Sequence, residues 1–190
     1  WFTFNLNDPS SQINVYDAFF NSKKQVTRIA DSARNGFNFT YVNDKITTIE
    51  DTTPGTTFLR LKNFVYEANN LKQYDIFQPD GSPLARAVIE YGVKTAVADF
   101  DLQLYSQVVK FLYVADINII SKAGLNFGVG SDNIMIKKTE FLLPSLLTYA
   151  TYSFDYEYDR KHTNEIIKRS IAKSGIGVSN PDTAFYQYKY

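Results

Sequence analysis

The chain has 190 residues, of which 20 are Lys or Arg, 20 are Asp or Glu, one is His and none is Cys. The lack of thiols excludes a disulfide framework, a cysteine-built zinc site and a thiol nucleophile, and a formal net charge of zero supplies no whole-chain field for nucleic acid or an anionic membrane. With 44% hydrophobic and 16% aromatic residues the composition supports a folded core, and a chain of this length buries about 70% of its unfolded surface.

In chain order, Asp8-Pro9-Ser10-Ser11 reads as a helix opening, because Asp or Ser caps the orphan N–H groups and Pro suits the first turn. Ile13, Tyr16, Phe19 and Phe20, then Val26, Ile29, Ala30 and Ala33, recur at helical spacing before Asn35-Gly36. The spacing predicts one or two helices between residues 9 and 34. From Phe37 the period becomes two, with Phe37, Phe39 and Tyr41 alternating with Asn38, Thr40 and Val42. Asn43-Asp44 reads as a turn, Asp51 to Gly55 as a loop, and 57–68 and 72–78 as strands. Asn38-Phe39-Thr40 also fits a glycosylation sequon.

The sharpest local signal is Pro79-Asp80-Gly81-Ser82-Pro83, in which Pro presets φ and Gly supplies a positive φ without steric cost. Ala85, Ala87, Ile89, Tyr91 and Val93 alternate beyond it, predicting a hairpin with one buried face. Residues 96–121 mix both periods, and 111–120 read as a strand. The longest apolar runs there, 108–114 and 117–120, contain Lys110 and Asn118 and are separated by Asp116. They fall short of the roughly 20 residues of a membrane-spanning helix. Residues 124–133 read as a glycine-bearing loop and 134–143 as a strand stopped by Pro144. Tyr149 to Asp159 show the cleanest alternation in the chain. A helix is predicted over 163–174, capped by Thr163 or Asn164 and ended by Gly175. Residues 176–190, ending in Phe185, Tyr186, Tyr188 and Tyr190, read as an aromatic arm. No internal repeat at solenoid spacing is visible. The order predicts a mainly β protein with flanking helices (α+β), an antiparallel β-sandwich or barrel. A single β-rich domain spans 1–175, with its helical segment at about 9–34, and the arm spans 176–190.

Few residues carry chemistry. His162 lies beside a predicted helix start and lacks the Gly-x-Ser-x-Gly elbow of a hydrolase. Gly124 to Gly130 lacks the Gly-Lys-Ser/Thr ending of a phosphate loop. Asp155, Glu157 and Asp159 stand on one face of a strand about 7 Å apart. Such a row can bind Ca²⁺, supply glycosidase carboxylates, line a surface that repels phosphate, or simply be a solvated strand face. Asp99 and Asp101 have no partner carboxylate that the sequence ties to them. The basic pairs Lys137-Lys138, Arg160-Lys161 and Lys168-Arg169 are scattered among acids and make no nucleic-acid signature. No catalytic residue, metal ligand or cofactor is assigned. The aromatic group Phe185, Tyr186, Tyr188 and Tyr190 is a candidate subunit-interface element.

The segment Tyr74-Asp75-Ile76-Phe77-Gln78-Pro79-Asp80-Gly81-Ser82-Pro83-Leu84-Ala85-Arg86-Ala87 resembles the strand–turn–strand of contractile tail-tube and hub proteins, which carry a Pro-Asp-Gly-x-Pro turn with an Arg shortly after. The resemblance covers 74–87 only. It implies a β-barrel that joins its neighbours in a ring with an acidic lumen for DNA. Charge logic, rather than the resemblance, makes Asp155, Glu157 and Asp159 candidates for that lumen. The expected function is a non-enzymatic structural or assembly protein of a bacteriophage virion (tail tube, hub or neck). Its expected partners are other copies of itself, other virion proteins and DNA in non-specific passage. The alternatives are a secreted carbohydrate-binding or glycan-processing β-sandwich and a small cellular adaptor whose arm folds onto a partner.

Overall fold

In the computed structural model, which describes residues 2–7, 13–31, 36–52, 60–95, 126–128, 130–158, 166–176 and 183–187, the chain is one antiparallel meander. The strands are β1 (Phe2–Asn7), β2 (Ile13–Phe20), β3 (Val26–Asp31), β4 (Gly36–Val42), β5 (Lys45–Asp51) and β6 (Arg60–Glu67). They continue as β7 (Asn70–Phe77), β8 (Pro83–Thr95), β9 (Asn133–Leu142), β10 (Leu147–Tyr158), β11 (Ile166–Gly175) and β12 (Thr183–Gln187). Each pairs with its sequence neighbour, so the spatial order of the twelve strands is the chain order.

The fold is therefore all-β among the described residues, which corrects the α+β expectation. The helices expected within 9–34 and over 163–174 are replaced by β2, β3 and β11. The reason is visible at β3. Phe19 pairs with Arg28 and Phe20 with Val26, so Thr27 is the extra residue of a β-bulge. Val26 and Ile29, three apart, then both face the core at 0% and 1% exposure. A bulge has imitated helical spacing. In β2, Ala18 is buried while Phe19 faces outward beneath Arg28, whose guanidinium lies 5.8 Å from the ring centroid. In β11, the β-branched run Ile166-Ile167 suits a strand, and ladders to β10 and β12 satisfy its backbone. Gly175, expected to end a helix, instead pairs with Ala150.

The same bulge recurs. Thr47 in β5, Lys72 in β7 and Ile136 in β9 are each skipped by the ladder. Each bulge turns residues three apart to the same side: Ile46 and Ile49, Leu71 and Tyr74, Met135 and Lys138, all nearly fully buried. Each bulge is held by a tyrosine of the following, even-numbered strand. Tyr41 of β4 donates to the Val26 carbonyl at 2.6 Å, and Tyr66 of β6 to that of Ile46 at 2.9 Å. Tyr91 of β8 donates to the Leu71 carbonyl at 2.7 Å, and Tyr156 of β10 to that of Met135 at 2.6 Å. Tyr41-x-Asn43-Asp44-x-Ile46-x-x-Ile49 and Tyr66-x-Ala68-Asn69-x-Leu71-x-x-Tyr74 share every spacing. Both turns hold two residues at positive φ, Asn43 and Asp44, then Ala68 and Asn69, the backbone that two-residue hairpins require. The chain thus contains a repeat of hairpin size, below solenoid spacing.

The core is one cluster drawn from β2 through β10. A flat sheet could not bury that face without a second layer, and the sheet is curled. Asn126 is bound to Val26 of β3, and β9 begins at Asn133. Six strand spacings measure about 29 Å when flat, whereas seven residues reach at most about 25 Å.

Candidate functional site

Five long polar side chains meet inside the curl. One register row runs Tyr74, Ala87, Glu140, Ala150 and Gly175, and the next runs Ile89, Lys138, Tyr152 and Lys173. Ala85, Ala87 and Ala150 are fully buried. Their small side chains leave the interior to Tyr74, Lys138, Glu140 and Tyr152, the small-and-large alternation of a narrow barrel. Lys138 and Glu140, both at 0% side-chain exposure, form an ion pair at 3.1 Å. The Lys138 amine lies 4.6 Å from the centroid of the Tyr152 ring, and Lys173 is also buried. Tyr74 stacks on Phe64 at 5.6 Å. Burial drives the Lys138 amine below its ordinary range, the Glu140 carboxylate opposes this, and the charge of Lys173 adds to the lowering. Burial, then the Glu140 charge, raises the Tyr74 phenol well above its ordinary value.

One end of the curl is crossed by a strap, residues 126–128 and 130–132, which leads into β9. Val26 N–H donates to the Asn126 carbonyl at 2.8 Å. Phe127 is buried edge-on against Phe39, with centroids 5.3 Å apart. Gly128, at φ 84°, passes so close to the β4–β5 turn that an added Cβ would collide with the Asp44 carbonyl oxygen. Ser131 Oγ accepts from Leu71 N–H at 3.1 Å and lies 2.9 Å from the Tyr91 hydroxyl. Asn69 donates to Asp132 at 3.0 Å, and Asn133 and Asn70 bond reciprocally at 2.9 Å. The glycine loop of the sequence is this strap, and its glycine serves close packing. Lys23 and Gln25 both donate to Asp44, at 2.7 and 3.1 Å, tying the β2–β3 and β4–β5 turns together. The Lys23 hydrogen bond holds the Asp44 carboxyl below its usual range.

The outer face is polar through the middle of the strands. Asp75 accepts from Arg86 Nε at 2.7 Å and from Asn63 at 3.0 Å. Glu90 pairs with Lys137 at 2.7 Å and Glu50 with Arg60 at 3.3 Å. The row between them runs Gln73, Val88, Thr139 and Thr151, with one apolar residue in the four. Asp155 and Glu157 are exposed here, on the side of β10 opposite Tyr152 and Phe154. Asp155 is in register with Ser170 and Glu157 with Lys168. They do not join the interior cluster. Phe185 and Tyr186 belong to β12, in register with Ser170 and Arg169. Asp159, Tyr188, Tyr190, His162, Asp99, Asp101 and the strand expected at 111–120 lie outside the described residues. Among the described residues no group of three or more His, Cys, Asp or Glu is placed to hold a metal ion. Among the described residues no helix is long and apolar enough to cross a membrane, which says nothing of crossing by strands.

The sequence reading missed the interior cluster. Lys138 read as half of a scattered basic pair, yet Lys137 turns out to Glu90 and Lys138 turns in. The available signal was Lys138-x-Glu140 opposite Tyr152, two strand positions of one face carrying opposite charge.

Fold and surface together define a curled, up-and-down antiparallel sheet whose inside joins an apolar cluster to a buried Lys138–Glu140 pair and whose outside carries charged residues. A porin-like protein from Bacteroides vulgatus ATCC 8482 has a similar fold, with a TM-score of 0.51 and 10% identity over 88% of this chain and 84% of that chain. A porin-like protein from Bacteroides uniformis ATCC 8492 matches at a TM-score of 0.47 and 13% identity, over 97% and 79%. The likeness is one of fold alone. No protein-family model and no curated protein matches the chain.

Proposed function

We propose that this chain is a non-enzymatic structural module, a curled sheet that faces water and acts through its surfaces. The observation that carries this reading is the outer face. Asp75, Arg86, Glu90, Lys137 and Asp155 occupy outward positions along the strands, where a membrane barrel presents an apolar band to lipid. A single Arg or Lys at the bilayer midplane costs about 2–4 kcal/mol. The inside carries the apolar cluster instead, the reverse of a water-filled pore. A place in a bacteriophage virion is the narrower form of this reading, supported by the Tyr74–Ala87 resemblance and the exposed Asp155 and Glu157.

The test is to mix the purified chain with preformed vesicles of phosphatidylcholine and phosphatidylglycerol loaded with a self-quenching dye. The expected result is protein that stays in the dense fraction on flotation, leaves the dye trapped and remains monodisperse without detergent. Co-flotation with dye release would overturn the proposal.

A further inference from the structure

Of the guanidinium groups whose surroundings are described, Arg60 holds Glu50 at 3.3 Å and Arg86 holds Asp75 at 2.7 Å, whereas Arg28 has no carboxylate partner among the described residues. Arg28 stands on the outer face, in register with Phe19 on one side and Asn38 on the other. Their chain neighbours Ala18, Ile29, Phe37 and Phe39 point inward and are buried. The Thr27 bulge sets this phase and brings the guanidinium over the Phe19 ring, 5.8 Å from its centroid. Phe19 is still 39% exposed. The Arg28 Nε is buried without a hydrogen-bond partner, so the terminal Nη pair is the part of the fork left for a ligand. Asn38, half-buried, adds an amide that both donates and accepts, about 5 Å further along the row. Two carboxylates flank the group: Glu50, in register with Asn38 and engaged by Arg60, and Asp17, two residues before Phe19.

We propose that Phe19, Arg28 and Asn38 form a binding site for an acidic sugar, a pyranose that bears a carboxylate. The Nη pair of Arg28 donates to the two carboxylate oxygens in one plane, the pairing for which a guanidinium is shaped and an ammonium is not. The Asn38 amide exchanges hydrogen bonds with a ring hydroxyl. The open part of the Phe19 ring packs against the C–H face of the sugar, as a large, rigid apolar surface. A small inorganic anion would use Arg28 alone, and a neutral sugar would leave the guanidinium unpaired. Stacking on Phe19 holds the fork in place before the ligand arrives, which lowers the cost of ordering it. The site gives the surface-acting module proposed above a ligand class, and it rests on that water-facing reading because it must open to solvent.

The test follows the side-chain NMR signals of Arg28 and Asn38 in the full chain as sodium glucuronate, glucose or sodium acetate is added at constant ionic strength. Glucuronate is expected to shift both signals saturably, with a Kd of about 1 mM, and glucose and acetate to need at least about tenfold more. Arg28→Lys keeps the charge and the stem but loses the fork, and the Asn38 signal should then report glucuronate binding at least about tenfold weaker. Phe19→Leu should weaken glucuronate and leave acetate unchanged. The absence of a saturable shift at Arg28 and Asn38 overturns the proposal. Acetate binding as tightly as glucuronate also overturns it, because the site is then a plain anion site, and so does an Arg28→Lys or Phe19→Leu variant that binds glucuronate like the wild type. None of these outcomes alters the vesicle test, so the sugar site and the water-facing reading fail separately.

Discussion

Lys138 and Glu140 sit two residues apart on β9, fully buried, and their charges are tolerable inside only as a pair. Removing one member strands the other in a low dielectric, at a cost of about 3–5 kcal/mol, whereas replacing both by apolar groups of similar volume is far less harmful. Lys138→Met and Glu140→Leu are each expected to lower the urea midpoint sharply, and the double variant to lie above both single variants. A double variant that falls by the sum of the two would show that the side chains contribute independently. The pair also resists a register slip, since a shift of one residue would turn Lys137 and Thr139 inward. Tyr91 gives a second residue-scale expectation. Burial pushes its phenol from 10.0 up to about 12, against the lowering effect of its hydrogen bonds to Ser131 and the Leu71 carbonyl. Because the folded value lies above the unfolded one, its contribution is fully present below pH 10 and is lost as the pH rises through 12. The contribution is on the order of 2–3 kcal/mol. Urea unfolding at pH 8 and pH 11.5 should therefore show a smaller alkaline loss for Tyr91→Phe than for the wild type. An identical loss in both would remove Tyr91 from the account.

At the scale of elements, the hairpin with a bulge held by a tyrosine is the unit of construction. Turn chemistry and alternation are local, so β4, the Pro79–Pro83 turn, β8 and β10 were legible in sequence. The Asp80 carboxylate accepts from the Ser82 N–H and hydroxyl at 2.8 and 2.7 Å, which is the Asx-type closure that such a turn favours. β2, β3 and β11 were not legible. A bulge adds one residue to a period of two, and the resulting spacing of three between Val26 and Ile29 matches a helix face as well as a strand. Only the partner strand reveals which residue is extra. Tyr66→Phe removes the donor to the Ile46 carbonyl, at an expected cost of about 1 kcal/mol. Amide hydrogen exchange should accelerate at the β5 bulge while β9 stays protected, and uniform acceleration would mean that the clasp does not act locally.

For the whole molecule, the sign of each face decides what it can be. The outward positions that bear Glu90, Lys137, Asp155 and Glu157 are what support the proposed water-facing reading of the curled sheet. The strap closes one end by joining the β2–β3, β4–β5 and β6–β7 turns, and Phe127 fills the space beneath them. By itself the sequence determined the short-range features: which segments alternate, where the tight turns fall and that no thiol chemistry is available. These depend on neighbours within a few residues. Only the tertiary structure decided the all-β class, the phase set by each bulge, and the meeting of Tyr74, Lys138, Glu140, Tyr152 and Lys173. A strand exposes alternate residues to opposite faces but carries no mark of which face will be enclosed. That choice is made when β2 through β10 curl around one core and burial of their apolar side chains outweighs the cost of enclosing two lysines and a glutamate.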